Sequence, residues 1–253
     1  MTEAIFHRDL TLGYLVTAVV VFISLFFIPA AYGRHTRKGW GPTMNTRLAW
    51  VIMECPSVFV FAACMAIATR PITIASGILG ALWLGHYVHR TFIFPFRMQM
   101  GGRPTPVLIP LMGFLFNCGN GYLNARWIFT LSGGYSDAWL SDPRFLLGCV
   151  LFLAGWTINY QSDRILAGLR KPGESGYKIP YGGFYRWISC PNYFGEIVEW
   201  TGFAIACWSL PGFCFVVWTA ANLAPRARTH HAWYRQTFAD YPPGRTALIP
   251  RVW

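Results

Sequence analysis

An acid inside an otherwise apolar run is the first residue of this chain that asks for a chemical reason. Glu54 sits in the first half of Leu48–Thr69, a run with no other charge. A carboxyl placed there is costly and marks function more often than it marks packing; a structural hydrogen-bond partner is the plain alternative. Tyr87 lies near the end of the next apolar run. On position alone it reads more readily as an interfacial anchor than as a catalyst.

The second half of the chain is richer in polar side chains at helical spacing. Asn159, Asp163 and Arg170 fall at intervals of four and seven. Asn192, Glu196 and Glu199 follow at four and three, and Arg226, His230 and Tyr234 at four and four. Each set would share one helix face. Between the first two runs a Gly/Pro-rich basic loop, Leu169 to Gly183. Taken singly, each stripe is a set of membrane-edge ion pairs. Taken together, the three describe a polar cavity for a large, charged, hydrogen-bonding ligand. Arg170, Lys171, Arg226 and Arg228 suit phosphate, and the carboxylates and amides suit ribose hydroxyls or a carboxamide. A phosphorylated dinucleotide fits that mixture. Gly119-Asn-Gly121 continues as Tyr-Leu-Asn124 and follows an apolar run, so there is no dinucleotide fingerprint, and no P-loop exists either. A Rossmann sheet is therefore excluded, and any nicotinamide has to be held by helices.

The elements that must position these groups are membrane helices. The chain has 253 residues, 54% hydrophobic and only 12% charged, with a net charge of +11. Soluble domains carry nearer 25% charged residues. That deficit excludes an ordinary soluble enzyme or a disordered binder, and the scattered basic residues give no nucleic-acid patch. Seven apolar runs read as spans: Leu10–Ala31, Leu48–Thr69, Ile72–Val88, Pro104–Ala125, Phe145–Gln161, Ile188–Leu210 and Pro211–Pro225. Only Ser209-Leu-Pro-Gly212 separates the last two, and the last is expected to continue as a helix beyond the membrane. All of the 21 Lys and Arg except Arg8, Arg70, Arg126 and Arg144 follow the odd-numbered spans. The positive-inside rule then predicts an N-terminus outside and a C-terminus in the cytoplasm. The first run is read as a span rather than a cleaved leader, being long and preceded by no basic segment. The expectation is an all-α, multi-pass, seven-helix membrane protein built as a single domain, 1–253. Seven cysteines lie mostly in apolar segments and form no CxxC pair, so they read as packing residues. His86-Tyr-Val-His89 lacks a third ligand, so no metal is expected.

Several motifs now align with a known family. His86-Tyr-Val-His-Arg-Thr-Phe92, Asn159-Tyr-Gln-Ser-Asp163, Leu169-Arg-Lys-Pro-Gly-Glu174, Asn192-Tyr-Phe-Gly-Glu-Ile-Val-Glu-Trp200 and the terminal His230-His-Ala-Trp-Tyr to Ala-Leu-Ile-Pro250 resemble the steroid 5α-reductases (3-oxo-5α-steroid 4-dehydrogenases), with the type 2 branch as the nearest match. The resemblance runs from Glu54 to the C-terminus; its C-terminal part alone is shared with sterol reductases and isoprenylcysteine methyltransferases. It implies a seven-helix enzyme that uses NADPH to reduce the Δ4 double bond of a 3-oxo steroid such as testosterone or progesterone. By that resemblance Glu54 and Tyr87 are catalytic, and the cofactor contacts are Asn159, Asp163, Arg170, Tyr177, Asn192, Glu196, Arg226, His230 and Tyr234, with Arg90 and Arg103 added. Residues 1–131 would mainly form the steroid pocket, with Trp50, Phe92, Phe94 and Phe116 in its wall, and 143–253 mainly the NADPH site. Cys55 stands where the family has Leu, and Thr229-His-His-Ala232 stands in its His-rich run. The expected setting is a lipid bilayer (a bacterial inner membrane or an endoplasmic reticulum) and a monomer without nucleic acid or metal. The rivals are a sterol, polyprenol or enoyl-CoA reductase and an S-adenosylmethionine-dependent membrane methyltransferase.

Overall fold

A computed structural model describes residues 2–28, 39–98, 104–171, 174 and 176–253. Among these residues the regular structure is helical apart from one pair of two-residue strands. In order come α1 (Glu3–Phe27), β1 (Thr43–Met44), α2 (Thr46–Ala66), α3 (Ile74–Val88), a π turn (His89–Ile93), the short α4 (Phe94–Arg97), β2 (Thr105–Pro106), α5 (Leu108–Arg126), a second π turn (Trp127–Leu131), α6 (Pro143–Gly168), α7 (Pro191–Cys207) and α8 (Leu210–Thr237). The seven longer helices coincide with the seven apolar runs. Of these, α1, α2 and α6 are long and apolar enough to cross a membrane.

Local chemistry sets the helix ends. Asn45 caps α2 by accepting from the backbone N–H groups of Arg47 and Leu48. Thr73 and Ser76 form a reciprocal capping box at α3, which satisfies amide groups that a helix start leaves unpaired. Asp142 caps α6 and also binds the Arg144 guanidinium, which holds its carboxyl down to about 2. Ser209 starts α8 directly after Trp208 closes α7 in a left-handed conformation, φ 46°, so the break expected between the last two runs is a two-residue turn. α8 then continues through Pro225 to Thr237, as the sequence led one to expect.

Pro56 sits inside α2 and has no N–H to give to the carbonyl of Ile52. The Cys55 thiol donates to that carbonyl instead, at 3.4 Å. Cys55 thus satisfies an acceptor the proline leaves free.

α6 and α7 form the tightest helix pair. Gly148 and Gly155 on α6 face Gly202 and Gly195 on α7, and a Cβ on any of the four would run into the opposing backbone. Small residues let membrane helices approach this closely. Around that pair lies an aromatic core of Phe61, Trp83, Trp200, Phe203 and Phe215. Val16, Val20 and Ile23 on α1 and Leu147, Val150 and Leu153 on α6 point outward and are exposed, the apolar face that lipid would cover. Beyond α8 the chain folds back: Ser189 and Cys190 donate their N–H groups to the carbonyls of Thr246 and Ala247, which ties the last segment to the start of α7.

Candidate active site

α2 and α3 run antiparallel, and two indole hydrogen bonds fix their register. Trp83 Nε1 donates to the Ser57 carbonyl at 2.8 Å, and Trp50 Nε1 to the Arg90 carbonyl at 2.9 Å. Glu54 lies four residues after Trp50 and three before Ser57. Tyr87 lies four after Trp83 and three before Arg90. These spacings keep each residue on the face that carries the indole bonds, so Glu54 and Tyr87 sit at one level, between the two fixed rungs. Glu54 Oε2 accepts from Asn117 Nδ2 of α5 at 3.4 Å. Glu54 Oε1 and the Tyr87 hydroxyl make no hydrogen bond to another described residue, and neither is among the sealed, unpartnered polar atoms. The Ser57 hydroxyl lies beside the Tyr87 oxygen without completing a hydrogen bond. The Tyr87 ring packs among Trp83, His86 and Trp200.

One turn further along α3 the helix widens into the π turn, a form that recurs at functional sites. Pro95 follows it and offers no N–H of its own. Arg90 sits in this turn. Its guanidinium reaches Asp163 Oδ2 at 3.2 Å and Glu196 Oε2 at 3.8 Å, and it lies 4.1 Å over the Phe94 ring and 5.0 Å over Trp50. Asn192 Nδ2 donates to Asp163 Oδ1 at 3.2 Å; Asn159 Nδ2 donates to the Asn192 carbonyl at 3.0 Å and to Glu196 Oε2 at 3.3 Å. The glycine seam explains this network, since it brings the faces of α6 and α7 close enough for short side chains to meet. Five residues named from the sequence, Arg90, Asn159, Asp163, Asn192 and Glu196, therefore form one connected group, and Glu54 lies within electrostatic reach of its Arg90 and Glu196.

The other expected residues are placed by further contacts. Arg170 does not share the face of Asn159 and Asp163, because α6 stops at Gly168; it lies in the loop, where Nη1 donates to the Gly176 carbonyl at 3.5 Å. In the same loop Lys178 binds Glu174 and keeps that carboxyl below its usual range. Arg226 lies 5.5 Å over the Tyr193 ring, and the Tyr193 hydroxyl is 3.2 Å from His230 Nε2. Tyr234 is buried, its ring stacked on Tyr241 at 5.2 Å, so it belongs to a small aromatic core. Tyr177 is half exposed and packs edge-on against Trp233. Arg103 lies outside the described residues. Of the expected pocket wall, Trp50 and Phe94 cover Arg90, Phe116 packs against Tyr14 and Trp218, and Phe92 is exposed beside Phe59.

Four participants escaped the sequence reading of the site. Asn117 reaches Glu54. Tyr193 links Arg226 to His230. His86 pairs with Glu199 across α3 and α7, the first having been weighed only as a metal ligand and the second only as part of a stripe. The rule that singled out Glu54, an ionisable group within an apolar run, applies equally to His86.

Apolar helices closed around buried acids, amides and an arginine are the build of a membrane protein with a polar interior. The family model described as 3-oxo-5-alpha-steroid 4-dehydrogenase matches residues 103–253. The chain is 42% identical to the steroid 5-alpha-reductase DET2 of Gossypium hirsutum over 99% of its own length and 98% of the relative's. It is 44% identical to the 3-oxo-5-alpha-steroid 4-dehydrogenase 1 of Bos taurus, covering 99% and 96%, and 41% identical to the 3-oxo-5-alpha-steroid 4-dehydrogenase 2 of Rattus norvegicus, covering 88% of each. The chain belongs to the 3-oxo-5-alpha-steroid 4-dehydrogenase family, oxidoreductases that act on CH–CH bonds.

Proposed function

We propose that this protein reduces the Δ4 double bond of a 3-oxo steroid to the 5α product, with NADPH as reductant, inside a seven-span membrane domain whose N-terminus is outside and C-terminus cytoplasmic. The observation that carries the reading is the placing of Glu54 and Tyr87 at one level of facing helices by the two indole hydrogen bonds, one turn from the Arg90 group.

The donor set suits the cofactor. Asp163, Glu196, Asn159 and Asn192 offer carboxylates and amides to ribose hydroxyls and a carboxamide. Arg170 and Arg226, with Arg103, offer charge to phosphates. Arg90 is already engaged by Asp163 and Glu196, so its part is to hold these two acids in place. Tyr177, His230 and Tyr234 complete the wall on the α8 side. When bound, NADPH supplies the hydride.

Reduction of the enone at C5 moves the Δ4 electron pair toward C3, and negative charge gathers on the C3 oxygen as an enolate. A donor aimed at that oxygen stabilises the transition state more than the ground state. The Tyr87 hydroxyl is that donor, and a neutral Glu54, through Oε1, is a second. A tyrosine and a protonated carboxylic acid serve a 3-oxo steroid in the same way in ketosteroid isomerase, a different protein on a different fold and a worked example of this chemistry. Water then protonates C4. The steroid enters from the lipid among the first four long helices, and the nucleotide arrives from the cytoplasmic side.

The test is absorbance at the nicotinamide band. Purified full-length protein in lipid nanodiscs, given NADPH and progesterone, consumes the reductant and forms the 5α-dihydro product. No consumption with progesterone or testosterone, but turnover of a polyprenal or an enoyl-CoA, would assign the site to another lipid enone.

A further inference from the structure

α5 carries three buried asparagines on one face, Asn117, Asn120 and Asn124, at intervals of three and four. The latter two serve each other: Asn124 Nδ2 donates to both the Asn120 carbonyl and Asn120 Oδ1, each at 3.0 Å. Asn117 alone reaches across to α2. Its Nδ2 donates to the Met53 carbonyl at 2.8 Å and to Glu54 Oε2 at 3.4 Å.

The amide has one workable orientation. A backbone carbonyl only accepts, so nitrogen must face Met53, and the second N–H then falls to Glu54. Turning the amide over would set Oδ1 against the Met53 carbonyl, which only accepts. The backbone also brings a short side chain within reach. Gly113 and Gly121 lie one turn either side of Asn117; a Cβ at Gly113 would strike the Met53 side chain, and Gly121 rests against the Pro56 carbonyl. α5 is thereby seated on α2 at the level of the acid.

We propose that Asn117 is the positioning residue of Glu54. By donating to Oε2 it fixes the carboxyl plane and reserves that oxygen as an acceptor. The proton of a neutral Glu54 then sits on Oε1, the oxygen that Asn117 leaves unengaged. This rests on the steroid-reductase reading and deepens it: it states which carboxyl oxygen meets the C3 oxygen of the substrate, and what holds it there. An uncharged residue in an apolar run gives no sequence signal of such a task.

The experiment is a double-mutant cycle on the full-length protein in nanodiscs, with progesterone and NADPH. Asn117→Leu and Asn117→Asp are compared with the wild type, and Asn117→Leu is also combined with Glu54→Gln. Loss of one positioning hydrogen bond lowers kcat about tenfold, with KM for NADPH unchanged. In the Glu54→Gln background the same Asn117→Leu change leaves kcat within about twofold, because a residue acting only through Glu54 has nothing further to lose. Asn117→Asp has the size of the native side chain and carries the test if Asn117→Leu does not fold. Wild-type kcat in the Asn117 variants, or an undiminished loss in the Glu54→Gln background, would overturn the assignment. An inactive wild type would instead overturn the steroid reading on which it stands.

Discussion

His86 Nδ1 lies 2.6 Å from Glu199 Oε1, and neither side chain is open to the surface. The bond joins α3 to α7 immediately beside Tyr87, against whose ring His86 packs edge-on at 5.0 Å. Glu199 Oε2 has no hydrogen-bond partner among the described residues, so the carboxyl is held from one side only. α3 thus meets α7 through this bond and through ring contacts, and the π turn that follows α3 meets it through Arg90.

Removing the acid leaves a buried imidazole without its partner. Glu199→Leu is expected to lower stability by about 2 kcal/mol and to cut turnover as Tyr87 loses its backing. Glu199→Gln, which can still bond to the ring, retains most of both. Thermal unfolding in detergent checks this; an unaltered midpoint for Glu199→Leu would mean that the pair contributes nothing.

Tyr87→Phe keeps the ring in its aromatic bed and deletes only the hydroxyl. Loss of one transition-state donor costs roughly a hundredfold or more in kcat. NADPH affinity, measured by quenching of protein fluorescence, is expected to hold, since no described hydrogen bond involves that hydroxyl. Turnover equal to the wild type would remove Tyr87 from the mechanism.

Arg90→Met strips the counter-charge from Asp163 and Glu196. Breaking a buried pair from one side costs on the order of 3 kcal/mol or more. A drop in unfolding midpoint is expected together with weakened NADPH binding. In the double variant Arg90→Met with Asp163→Asn, part of the stability returns, because the stranded charge is gone. If the second change brings no recovery, the ion pair is not the reason for the loss.

Gly155→Ala tests the seam. The new methyl meets the α7 backbone at Glu199, so the helices must part. Overpacking of this kind costs about 1–3 kcal/mol. The separation also pulls Asn159 away from Asn192 and Glu196, so NADPH affinity falls although no polar group has changed. Gly168→Ala is the control, since a Cβ there has nothing within reach. Equal affinity in Gly155→Ala and Gly168→Ala would show that the close approach is dispensable.

The polar network was legible where periodicity and helix coincide. Asn159 with Asp163 and Asn192 with Glu196 each sit one turn apart in uninterrupted helix, so their shared faces could be read directly. Arg170 misled because the same count was carried past Gly168. Pro172 lay ahead, and a proline biases the residue before it away from helix, so that end was readable. Tyr234 fell at helical spacing too, and its ring also stacks on Tyr241 from the folded-back tail, a long-range contact that no local pattern announces. The two indole bonds that set Glu54 against Tyr87 were equally hidden: tryptophans in apolar runs read as packing, and only the helix pair reveals which carbonyl each one meets.

The ion pair between Arg90 and Asp163 spans 73 residues of chain. As the polypeptide emerges, the guanidinium arrives long before either acid that will neutralise it. Until α6 and α7 have been made, that side chain has neither of these carboxylates to bind. The turn that ends α3 therefore gains these ion pairs only once the second half of the chain has been made.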